Sequence, residues 1–150
     1  MKIADVIRYL EEVAHPSLQE QYDNTGLITG DPGQKCKGII CSLDTTEEVV
    51  QEAIDKKCNL LVAHHPIIFS GLKKINGKNY VEKAIIRAIK KDIAIYAMHT
   101  SLDNVLHGVN GKIAAMLGLK NTEPLAEKDN SLRNLVTFVP HLHAEQVRNA

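Results

Sequence analysis

The chain has 150 residues, the size of one ordinary domain and enough to bury a core. Lys plus Arg and Asp plus Glu number 18 each, a formal net charge of +0, so charge makes no case for nucleic acid or an acidic membrane surface as a partner. An aromatic content of 4% with no Trp argues against base-stacking platforms for a nucleic-acid strand.

Residues 2–14 place Ile3, Val6, Ile7, Leu10 and Val13 at three- and four-residue steps, which predicts an amphipathic helix ending before Pro16. This start has no continuous apolar core of a signal peptide. No stretch approaches the length needed to cross a bilayer. "YDNTGLITGDPG" (22–33) reads as a turn-rich loop enclosing the short apolar piece Leu27 to Thr29. "KGIICSLD" (37–44) predicts a strand. "TTEEVVQEAIDKK" (45–57) predicts a helix, with Thr45 or Thr46 as N-cap and Glu47 and Glu48 well placed in its first turn.

"NLLVAHH" (59–65) predicts the next strand, followed by a Gly-containing loop and a helix over about 79–91. "DIAIYAMHT" (92–100) predicts a third strand, and 110–118 a short helix closed by Gly118. Strand and helix alternate, and the strands are near-continuous apolar runs. The pattern predicts an α/β fold, a mixed or mostly parallel sheet covered by helices on both faces. Residues 121–134 read as a polar connection, "LVTFVP" (135–140) as a new strand, and "HAEQVRNA" as the opening of a helix in a second unit. Cys36, Cys41 and Cys58 are odd in number and lack CxxC spacing, which argues against a disulfide scaffold. Cys41 and Cys58 sit in or beside apolar runs, so buried free thiols in a reducing compartment, with a cytoplasmic location, are expected.

In an open parallel sheet, ligands bind beyond the carboxyl ends of the strands. Here the first strand closes on Asp44, the second on His64-His65-Pro66, and the third on "MHTSLDN", with His99 and Asp103. Imidazoles and carboxylates converging on one edge suit Zn, Mn, Fe or Ni, not calcium. Adjacent histidines on an extended chain point to opposite sides, so each is expected to reach a different ion of a pair, with Asp103 as a bridge. Pro66 restricts His65 to extended geometry and ends the ladder. His15 and His107 read as surface or loop residues. His141 and Glu145 sit at i, i+4 but open an ordinary amphipathic helix, and "GLITGDPG" lacks the spacing of a phosphate-cradling loop.

"YDNTGLITG", "SLDTT", "LVAHHPIIF" and "YAMHTSLDN", in this order, resemble the NIF-three-like family of dinuclear metal-centre proteins, often labelled GTP cyclohydrolase I type two homologues. The resemblance covers nearly all of residues 1–120. It implies His64, His65 and Asp103 as metal ligands, His99 as a ligand or catalytic group beside them, and Asp23, Asn24 and Gly26 as a loop lining the same cleft, near Asp44. It implies two divalent metal ions, a hydrolase acting on a nucleotide-like substrate such as GTP, and a ring-shaped homohexamer. The alternative it leaves open is a non-enzymatic, metal-dependent binding or regulatory protein. Residues 1–132 would be the N-terminal half of a two-part metal domain, whose other half brings a further His and Glu. Residues 133–150 would begin an inserted PII/CutA-like α+β domain.

Overall fold

The computed structural model describes residues 1–126 and 136–149. Its elements are α1 (Ile3–Val13), β1 (Gly26–Thr29), β2 (Ile39–Ser42), α2 (Glu47–Asp55), β3 (Leu60–Ala63), α3 (Tyr80–Lys90), β4 (Ala94–Ala97), α4 (His99–Asp103), α5 (Val109–Met116) and α6 (Ala144–Arg148). The predicted helices start where their caps are. Thr46 accepts from the Val49 N–H at 3.3 Å, and Asn79 from the Glu82 N–H at 2.9 Å. Gly118, at φ +70°, closes α5 as expected.

The four strands form one mixed sheet in the order β1-β4-β3-β2. β2, β3 and β4 are parallel, with Ile39 opposite Leu60 and Leu60 opposite Ala94. β1 runs antiparallel on the outer edge, with Gly26 opposite Ala97. This short apolar piece, read from the sequence as part of a loop, is a strand because its groups complete the exposed edge of β4. Gly26 turns the chain into it at φ +99°, a conformation disfavoured for side-chain-bearing residues. Gly30 leaves it at φ +106°, where a Cβ would stand 2.5 Å from the Ala94 Cα.

Alternation along the central strands splits the core between two faces. Leu60 and Val62 of β3, with Ala94 and Tyr96 of β4, pack with Ile3 and Val6 of α1. Leu61 and Ile95 pack on the other face against Val50 and Ala53 of α2 and Ala84, Ile85 and Ala88 of α3. The result is the expected α/β layering, and β3 and β4 are buried along their whole length.

Three expectations need correction. β2 is an edge strand with alternating exposure, so Cys41 is exposed, and Cys58 is partly accessible instead of buried. Residues 136–140 form no strand: a strand exists through its ladder, and they find no partner among the described residues. Asp103 stands at the end of α4 and not on a strand, because the chain turns into helix directly after β4. The expected boundary at 132/133 falls outside the described residues. Among those residues, no helix is long and apolar enough to cross a membrane.

Tyr96 links this core to pH. Burial, reinforced by the charge of Glu11, pushes its phenol up to about 12. A folded value above the unfolded one contributes stability that is complete below pH 10 and lost as pH rises towards 12. Alkaline denaturation of the parent should therefore steepen in that interval, by on the order of 2–3 kcal/mol. Tyr96→Phe should flatten that limb, as followed by circular dichroism.

Candidate metal centre

All three parallel strands end at one edge of the sheet. Because β1 is antiparallel to β4, the loop that precedes it, Tyr22 to Thr25, is delivered to the same edge. Hydrogen bonds continue just past the strands. The N–H groups of His64 and His65 donate to the Ser42 and Leu43 carbonyls at 3.0 and 2.9 Å, and the His99 N–H donates to the His64 carbonyl at 2.8 Å. The backbones of all three histidines are thereby held by the sheet.

The chain bends after Ala63, so His64 and His65 do not splay to opposite faces as an extended strand would require. Their ring centroids are 4.9 Å apart, and the His99 ring lies 5.5 Å from His64 and 5.7 Å from His65. His99 adopts φ +28°, a left-handed value that costs a non-glycine residue about 1–3 kcal/mol. This turn converts β4 directly into α4. Asp103 then follows His99 by four residues, on the same helical face.

Each imidazole has its own carboxylate. His65 Nδ1 donates to Asp44 Oδ1 at 2.8 Å in an exposed pair. His99 Nδ1 donates to Asp23 Oδ1 at 2.7 Å, and the Asp23 side chain is 0% exposed. A carboxylate that only accepts fixes the proton on Nδ1 and leaves the neutral ring's Nε2 lone pair free. Asp23 also accepts from the Asn24 N–H at 2.7 Å, the Thr100 N–H at 3.1 Å and the Thr100 hydroxyl. Burial alone would raise its carboxyl, but the bonds from Thr100, His99 and Asn24 together hold it below the ordinary carboxylate value. The third pair differs. His64 Nε2 and Asp103 Oδ1 face one another at 3.7 Å, too long for a hydrogen bond.

The structure therefore brings together His64, His65, His99, Asp103, Asp44 and Asp23 at one sheet edge, in pairs. Among the described residues, no three His, Cys, Asp or Glu side chains form a ready-made chelate. Asp23 lies beneath the cluster instead of lining it. Asn24 reaches outward, its Nδ2 donating to the Ile68 carbonyl at 2.6 Å. Gly26 presents no side chain and serves the turn into β1. His15 caps a single helical turn through Ser17, and His107 is exposed. His141 falls in a separate turn before α6, and Glu145 pairs with Arg148 at 2.6 Å.

Sequence reasoning missed Thr100, which ties Asp23 to the start of α4, and the aromatic rim. Phe69 stands edge-on to His99 at 6.1 Å, with Tyr22 at 6.4 Å from Phe69. An "HT" step directly after a strand was the local clue to Thr100. Nothing local links position 22 to position 69.

The model of the family described as Duf34/NIF3 (NGG1p interacting factor 3) matches residues 1–150. The chain belongs to the Duf34/NIF3 family. A relative from Halalkalibacterium halodurans named "GTP cyclohydrolase 1 type 2 homolog" is 43% identical over 154 residues, taking in 100% of this chain and 41% of that protein. One of the same name from Clostridium acetobutylicum is 36% identical over 133 residues, covering 89% of this chain and 50% of that protein. A solved Duf34/NIF3 relative, a Bacillus cereus protein related to NIF3, superposes with a TM-score of 0.83 at 38% identity, over 99% of this chain and 42% of that one. This member of the Duf34/NIF3 family thus spans half or less of the length of these relatives.

Proposed function

We propose that this chain supplies one face of a dinuclear divalent-metal centre, in a protein that hydrolyses a nucleotide-like substrate. The donor set fits such ions: imidazole nitrogens and carboxylates in one place suit Zn, Fe, Mn or Ni. The observation that carries the reading is the His64–Asp103 pair. An ion bonded at about 2.0–2.2 Å to a nitrogen and an oxygen holds the two roughly 3–4 Å apart, and these atoms stand at 3.7 Å.

His64, His65 and Asp103 would hold metal. When bound, a metal pair supplies Lewis acidity and an acidified water near neutral pH. Asp44 orients the His65 ring by holding Nδ1, as outer partners of metal-binding histidines do. Asp23 does the same for His99, whose Nε2 is left to accept or return a proton at the cluster. Thr100 keeps Asp23 in place, so the position of His99 is set by a buried network and not by an exposed loop.

The test is elemental analysis of the full-length protein, followed by hydrolysis assays with GTP and with generic phosphoesters, before and after chelation. Two equivalents of transition metal and chelator-sensitive turnover are expected. Metal without turnover of any substrate would overturn the hydrolase reading and favour a binding role. No stoichiometric metal would overturn the centre itself.

A further inference from the structure

We propose that Tyr22 and Phe69 form a stacking site for the planar ring of the ligand, so that the protein selects a nucleotide by its base and tolerates more than one base. This rests on the metal-centre reading for where the reacting part of the ligand goes. Tyr22 and Phe69 are exposed, at 68% and 51%, as are most of the six Tyr and Phe residues in the chain, but these two also stand against each other and beside His99. So few aromatics cannot track a strand of nucleic acid, but two suffice for one ring.

Their placement is fixed and not incidental. Tyr22 precedes Asp23, whose carboxylate is anchored by His99 and Thr100. Phe69 follows Ile68, whose carbonyl is held by Asn24. One hydrogen bond thus clamps the two aromatic loops together. The rings are tilted by 52°, an open V with Phe69 edge-on to His99 at 86°. Aromatic rings pair in offset or edge-to-face arrangements, and this V offers a planar ring both a face and an edge.

Charge points the same way. Among the described residues, the carboxylates of Asp23, Asp44 and Asp103 pair with histidines and with no Lys or Arg. Among the described residues, these carboxylates therefore draw no Lys or Arg into the cluster to receive a phosphate arm, whereas the two exposed rings are side chains of this chain that can grip a base. Contact with a ring face is sequence-tolerant because every base has one.

The experiment compares GMP, AMP and ribose 5-phosphate binding by calorimetry to the metal-loaded full-length protein and its Tyr22→Leu, Phe69→Leu and Phe69→Trp forms. The two nucleotides should bind the parent alike and far more tightly than ribose 5-phosphate. Either leucine variant should weaken both nucleotides by roughly 5- to 150-fold, with ribose 5-phosphate binding and metal content unchanged, and Phe69→Trp should retain affinity. Equal affinity for GMP and ribose 5-phosphate in the parent would overturn the proposal, as would leucine variants that bind nucleotides normally. Base-dependent binding by a parent that carries no metal would leave the stacking site standing and remove the metal centre instead.

Discussion

Asp23→Ala should lower the stability of the fold by about 2–4 kcal/mol, because buried donors around it lose their acceptor. The Thr100 N–H and hydroxyl and His99 Nδ1 all converge on this one carboxylate, which solvent does not reach. For a chain of this size the melting temperature should fall by roughly 5–15 °C. The strained turn at His99 lies within the same network, so freeing the imidazole should also lower the turnover proposed for the full-length protein by roughly 10–100-fold, with metal content unchanged. The sign of the pH effect follows from the depressed carboxyl. Its contribution is complete above the ordinary carboxylate range and is lost as pH falls through that range to the folded value. The variant should therefore lack that part of the acid limb. Thermal melts from pH 7 to pH 3 check both points, and an unchanged melting temperature would remove Asp23 from its positioning role.

The second large effect concerns the 3.7 Å pair. His64→Ala and Asp103→Ala should each weaken metal binding by more than the roughly 10–100-fold that an outer hydrogen-bond partner is worth. The double variant should be little worse than either alone. Groups that share a cation act as a unit, and the removal of one already forfeits most of what the other contributes. Metal titrations of the four proteins give the coupling directly. Independent, additive losses would mean that the two residues face each other without a common ion. Both side chains are partly exposed, so neither substitution should disturb the core.

Much of this molecule is legible from local pattern. Thr46 and Asn79 cap their helices by side-chain chemistry that depends on residues three apart, and α1 declares its buried face through the spacing of Ile3 and Val6. The apolar runs of β3 and β4 announced strands covered on both sides. β2 misled, since an edge strand with equally apolar residues is covered on only one side. β1 was missed because four residues carry too little pattern, and their pairing partner lies some seventy positions away. "AHHP" located the candidate site, but the extended geometry assumed for it would have sent the two rings apart, and the bend after Ala63 brings them together.

By itself, then, the sequence determined the α/β class, the order of helices and central strands, and the strand ends where imidazoles and aspartates gather. Periodicity, caps and strand-end chemistry are written within a few residues of where they act. Only the tertiary structure decided which carboxylate serves which histidine. The pairing of His99 with Asp23 spans 76 positions. It exists because an antiparallel edge strand returns its leading loop to the carboxyl ends of its parallel neighbours, a closure that requires the whole sheet.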